Sequence, residues 1–217
     1  MNHCIYINIF RKQIGVFLFI TFLILSSSCN NNQQEEQKVE EDSVVMADDI
    51  AQEDSILFFE NKTDEWLDLS LNNNNTAAWK KFKLKEFWYE DSIQKQPFKP
   101  ESGFYKDFAP LLKWSPDSSY ILDIGTYGKV LVKDKNGKTS IQDGEVDTKA
   151  SLIFTKKDIV AELIFLGAGG SIIDGHWIDS TQFSMLIVSD AENVHRPDTL
   201  LWLIDAKENF FRKYKWE

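Results

Sequence analysis

The sequence predicts a mainly β fold: two four-stranded antiparallel units within one domain, with a short N-terminal helical segment ahead of them. Three observations carry this. The stretches WSPDSSY (114–120) and WIDSTQF (177–183) share a layout 63 residues apart. Downstream of each, residues 151–165 and 201–215 read as strand, polar turn, strand. Helix signals lie before either unit, around AAWKKF, with a short helix around Val44–Ile50 as a further option. Self-similarity at a long period changes a fold assignment, so it is weighed first. Each unit is expected to hold two hairpins joined by a connection, over residues 108–167 and 171–217 of a β-rich domain spanning 55–217.

At the start of the chain, Arg11 and Lys12 precede an apolar run, Ile14 to Leu25, followed by Ser26, Ser27, Ser28 and Cys29. A basic region, a short apolar region and small residues before a cut define a secretory signal. As a helix the run reaches only ~18 Å, against a hydrocarbon core of ~30 Å. Extending it backwards would place Arg11 and Lys12 within the membrane, which is costly. LSSSC resembles the lipobox of bacterial lipoproteins; Ser27, Ser28 and Cys29 match it, whereas Ser26 stands where an aliphatic residue is usual and Leu25 comes one position early. The resemblance implies that residues 1–28 are a signal peptide, that Cys29 is lipidated, and that the protein is held by acyl chains on a cell-envelope membrane, the outer membrane and its surface included. An ordinary signal followed by an unrelated cysteine is the alternative. Two or more acyl chains anchor stably where one does not. Cys4 lies in the segment removed, so Cys29 is the only cysteine remaining, and no internal disulfide is expected.

Residues 29–54 are rich in acids and amides and contain no aromatic residue. Such a stretch cannot bury enough apolar surface to offset ordering, so a disordered acidic tether is expected. SILFFE (55–60) reads as a strand. Four asparagines, 72–75, read as a turn, and Thr76 as the N-cap of a short helix from Ala77. From Lys81, KFKLKEFWY alternates charged and apolar residues, a strand period. Lys80, Lys81, Lys83 and Lys85 among aromatic residues are expected to form a solvated face, because the rest of the domain is acidic. Residues 93–106, with Pro97, Pro100 and Gly103, read as a loop.

In the first unit, two apolar runs flank SPDSS, with Ser115 at the first position of a turn and Pro116 at the second. Trp114, Ser115, Pro116, Asp117 and Tyr120 resemble the blade motif of bacterial β-propellers of the TolB and WD40-like type. Trp177 aligns with Trp114, and Phe183 with Tyr120. Two blades cannot close a propeller, so the resemblance implies an incomplete propeller or a β-sandwich-like pair of sheets, its helical segment covering an edge. The first unit carries an inserted hairpin, KVLVKDKNGKTSIQ, in which Asn136-Gly137 signals a type I′ turn.

Candidate chemistry is sparse. Asp134, Asn136, Ile141 and Glu145 fall at EF-hand positions, but Lys138 and Thr139 break the pattern, so a hairpin is expected. Gly167, Gly169 and Gly170 follow a strand without the third glycine, helix or lysine of a phosphate loop, and read as a connector. His176 lies beside Trp177 at a turn between Asp174 and Asp179; His195 lies in a polar loop beside Arg196. His176, Trp177, Asp174, His195 and Arg196 are the candidate binding residues. Their spacing fits no histidine zinc site, and no GxSxG elbow is present. No catalytic residue, metal or other cofactor is assigned. Removing Arg11 and Lys12 with the signal takes the formal charge from −10 to −12, which argues against a nucleic-acid partner. The expected function is that of a lipid-anchored envelope module that binds a partner or supports an assembly. The alternatives are an envelope hydrolase and an inhibitor or immunity-type lipoprotein.

Overall fold

The computed structural model describes residues 35–61, 63–71, 78–189 and 197–217. The chain divides into two units, Met1–Met46 and Ala47–Glu217; all packing below belongs to the second. Cys29 and the signal lie outside the described residues, as do Thr76 and the asparagine run.

Among the described residues, twelve antiparallel strands form three sheets. One sheet has the order β2 (Lys95–Pro97), β8 (Ile159–Gly167), β7 (Thr148–Phe154), β4 (Tyr120–Asp123), β3 (Leu112–Trp114). The other has the order β1 (Phe82–Tyr89), β12 (Phe210–Trp216), β11 (Asp198–Asp205), β10 (Gln182–Ser189), β9 (Gly170–Trp177). The inserted strands β5 (Lys129–Lys133) and β6 (Thr139–Asp143) pair only with each other. Each five-stranded sheet is therefore a meander of four strands with a fifth, from the N-terminal side, added beside the last. The glycine stretch is the short connector from β8 to β9.

Both second hairpins turn in the same way. Four residues separate Phe154 from its partner Ile159, and four separate Asp205 from Phe210. Each loop ends in a left-handed residue, Asp158 at φ 50° and Asn209 at φ 52°. Asn and Asp are the side chains that tolerate this conformation best. The two halves thus share turn chemistry as well as strand order.

Along β10 the side chains alternate. Phe183, Met185 and Ile187 join Leu122, Leu152, Ile164 and Phe211 in a core drawn from both sheets. Leu186, between them, joins Leu201, Leu203 and Tyr214 on the opposite face. That second face is covered by the 47–60 part of helix α1 (Glu35–Glu60), helix α2 (Thr63–Ser70) and the 3-10 turn Ala78–Lys81, through Phe58, Leu67 and Trp79. The outer face of the first sheet, Ile121 and Ile153, is covered by Phe98, Phe104 and Phe108, around the short helix α3 (Phe104–Asp107). Strands buried on both faces read as continuous apolar runs, which is what SMLIV and LLWLI are.

Several expectations change. SILFFE is the end of α1, because its apolar positions belong to a longer helical stripe: Asp54 and Phe58 are buried, and Gln52, Glu53, Ile56 and Glu60 are exposed. The expected tether boundary at 54 falls within this helix. The helical segment is longer than the short one expected, includes the unforeseen α2, and covers a sheet face, where an edge was expected. In place of the helix expected from Ala77, Ala78–Lys81 forms a single 3-10 turn before β1. The loop at 93–106 contains β2 and α3. The inserted hairpin forms, but its turn is not type I′, since Gly137 (φ 80°) has positive φ and Asn136 does not. The Gly137 amide donates to the Asp134 carbonyl at 3.0 Å and Asp134 pairs with Lys138, the pattern of a three-residue loop closed by a left-handed glycine.

The alignment of Trp114 with Trp177 also fails in three dimensions. Six residues separate Trp114 from its partner Ile121, whereas five separate Trp177 from Phe183. A one-residue difference moves a side chain to the other face of a sheet. Trp114 is accordingly 46% exposed on the outer face and Trp177 8% exposed in the core, while Tyr120 and Phe183 both face inward.

Gly175 marks a close approach of the two sheets. A Cβ there would lie 2.7 Å from Leu122 Cδ2 and 2.9 Å from Ile124 Cγ2, both buried. Gly175→Ala is expected to cost about 1–3 kcal/mol by overpacking, read as a lower urea midpoint at unchanged slope.

Candidate functional site

A cleft of about 420 Å³ opens between the outer strands of the two sheets. Trp88 of β1, Trp202 of β11 and Phe211 of β12 form its aromatic wall, and Glu162 and Leu163 of β8 face them. The segment from Glu90 to Gln96, which carries the chain from one sheet to the other, forms its rim.

A β-bulge aims the wall. In β1, Phe82 and Leu84 pair with Trp216 and Tyr214 and face the helices. The register then shifts between Leu84 and Glu86, and Trp88 pairs with Phe211, a residue of the intersheet core. Were Lys85 paired in regular alternation, with no bulge, Trp88 would turn towards the helices. Bulges re-aim side chains in this way and are enriched beside functional sites. Trp88 stacks on Phe211 with centroids 5.4 Å apart, and Trp202 stands at 87° to both rings. The Trp202 indole N–H is shut off from solvent and has no acceptor among the described residues.

The charges around the cleft are balanced. The Ser92 hydroxyl and amide donate to the Glu90 carboxylate and hold it below the usual carboxylate range. Lys149 Nζ lies 3.4 Å from the Glu162 carboxylate. Lys95, also on the rim, places its ammonium 5.4 Å from the Phe154 ring centroid.

Of the residues singled out in the sequence, Asp174, His176 and Trp177 lie together on β9, away from this cleft, while His195 and Arg196 lie outside the described residues. Lys113 Nζ of β3 and the Trp66 indole of α2 each approach an oxygen of Asp174 at 2.8 Å. The Gly175 amide donates to the same carboxylate at 2.8 Å. Burial pushes the Asp174 carboxyl up, but these hydrogen bonds outweigh it and hold the group below its usual range. The His176 ring stacks on Trp66 at 5.4 Å. Trp177 is a core residue whose indole N–H donates to the Lys113 carbonyl at 2.8 Å. The group ties α2, β3 and β9 together, and the Asp174 carboxylate is spent on Lys113, Trp66 and the Gly175 amide.

Burial lowers the His176 pKa below 6.5, against the pull of Asp174. As pH falls below 6.5, the unfolded chain takes up this proton before the folded one, so stability falls. His176→Phe keeps the stack and removes the titration. The expected result is a shallower loss of unfolding free energy than wild type as pH falls below that value, measured by urea titrations across pH.

A third group lies under α1. Arg212 Nη1 is 2.8 Å from Asp54 Oδ1, and the Tyr214 hydroxyl donates to Asp54 Oδ2. Burial pushes the Asp54 carboxyl up, against Arg212 and Tyr214, and burial together with Asp54 pushes the Tyr214 phenol up.

Lys80, Lys81, Lys83 and Lys85 are exposed, as their alternation implied. The aromatic cleft was not foreseen; Trp88 and Trp202 were legible as apolar strand positions, but the bulge that brings Trp88 to Phe211 has no signature in the sequence. Among the described residues no cluster of three or more His, Cys, Asp or Glu could hold a metal ion, and no helix is long and apolar enough to cross a membrane. The chain matches no protein-family model, no curated protein and no solved structure.

Proposed function

We propose that this chain is a lipid-anchored module of a bacterial cell envelope that binds a ligand in the cleft between its two sheets. The address rests on the signal and Cys29; the binding role rests on the cleft, a concave aromatic site with polar groups converging on its rim, the usual form of a ligand pocket. Binding is favoured over hydrolysis by the carboxylates. A paired-carboxylate hydrolase needs one acid held protonated near neutrality; Glu90 is shifted the opposite way, and Glu162 has an ammonium beside it.

The two meanders are read as blade-type units. Their first strands, β3 and β9, lie side by side through the Trp177–Lys113 hydrogen bond, and their last strands lie beside the added β2 and β1. Both outer faces are already covered. With covering segments on both outer faces among the described residues, the pair is read as a sandwich-like module.

Two measurements test this. Cys29→Ser is expected to move the protein from the membrane to the soluble fraction; unchanged membrane retention and maturation would refute lipidation there. When envelope extract is titrated onto labelled protein, the indole N–H signals of Trp88 and Trp202 are expected to shift while that of Trp79, buried under the helices, stays still. Shifts at Trp66 with Trp88 unmoved would place binding elsewhere.

A further inference from the structure

We infer that the cleft takes a neutral carbohydrate ring, an inference that rests on the cleft being the binding site. The wall offers what an apolar sugar face packs on: two partly exposed indoles, one of them backed by the buried ring of Phe211. The rim offers what hydroxyls need, groups that donate and accept at once. Ser92, Gln94 and Gln96 supply hydroxyl and amide groups, and Glu90 and Glu162 supply acceptors.

Charge decides against the two other classes that aromatic clefts commonly serve. A quaternary ammonium is drawn to an aromatic face reinforced by uncompensated negative charge. Here Lys149 lies against Glu162, and Lys95 on the rim offsets the charge of Glu90. A phosphorylated ligand needs converging cations or a run of backbone amides, and among the described residues Lys95 is the one cation lining the cleft. With two carboxylates and two ammonium groups in and beside it, the site is close to neutral. Its volume of about 420 Å³ falls in the range of pockets that enclose a small ligand.

The test uses detergent-solubilised full-length protein and four sets of probes: glucose, galactose and N-acetylglucosamine with their disaccharides; choline; glucose 6-phosphate; and inorganic phosphate. Tryptophan fluorescence and indole N–H shifts report binding. The expected result is saturable binding of at least one neutral saccharide, weakened tenfold or more by Gln94→Ala with Gln96→Ala. Both residues are exposed, so the variant should fold, and an unchanged urea midpoint verifies that. No binding by any neutral saccharide, or binding indifferent to loss of both amides, overturns the inference. Choline or phosphate binding in place of sugar, with Trp88 and Trp202 shifted, overturns the carbohydrate class and leaves the cleft as the site. Saccharide binding that shifts other tryptophans and leaves these two still overturns the inference and the cleft reading together.

Discussion

Trp177→Ala is expected to destabilise the domain by about 3–5 kcal/mol, the cost of deleting a large buried aromatic side chain. The indole packs against Phe183 at 4.9 Å and Tyr120 at 6.0 Å between ring centroids. Its N–H also ties β9 to the edge strand β3 through the Lys113 carbonyl. Trp177→Phe keeps most of the ring and loses the hydrogen bond, so about 1 kcal/mol is expected. Urea unfolding measures both. The folded fraction of either variant should bind in the cleft as wild type does. A variant of wild-type stability that has lost binding would make Trp177 a recognition residue, contrary to its place in the core.

Arg212→Met is expected to cost a comparable ~3–5 kcal/mol, because it leaves the Asp54 carboxylate buried without its cation. Asp54 and Arg212 are 2% and 6% exposed, and two further nitrogens of Arg212 have no partner among the described residues. An ion pair of this kind is costly to break and weak as a source of net stability. The combined replacement Asp54→Leu, Arg212→Met, Tyr214→Phe should therefore recover most or all of the loss. The pH dependence separates the contributions. The folded-state pKa of Asp54 lies above 3.8, so acidification favours proton uptake by the folded chain. That contribution is fully present below 3.8 and lost as pH rises through the folded value. Asp54→Asn should remove it, which unfolding measured across that window detects.

The four hairpins of the two meanders were legible because each depends on local chemistry: an apolar run, a polar turn, another run. The Ser115–Ser118 turn forms as read, with the Ser118 amide on the Ser115 carbonyl at 2.9 Å. Misreadings arose where one residue changes a face. An extra turn residue sends Trp114 outward while Trp177 points in, and the bulging of Lys85 out of the ladder turns Trp88 to the cleft instead of the helix side. Composition identifies both tryptophans as apolar strand residues and says nothing of their facing. SILFFE failed for a different reason: six apolar-rich residues fit either period, and the helical stripe emerges only when Ile50, Ala51 and Asp54 are counted with Leu57 and Phe58. Asp54 itself was hidden among acids, since nothing local distinguishes a solvated carboxylate from one that meets Arg212 more than a hundred residues later. The cleft is assembled from β1, β8, β11, β12 and the rim segment, a convergence fixed by sheet order.

Hydroxyl-radical footprinting of the protein in intact envelopes, compared with the purified protein, tests the central claim most directly. Occupation of the intersheet cleft in place predicts protection of Trp88, Ile93 and Trp202 in the envelope, with Trp66 and His176 oxidised equally in both samples. Equal oxidation of Trp88, Ile93 and Trp202 in both samples, or protection confined to Trp66 and His176, would contradict it.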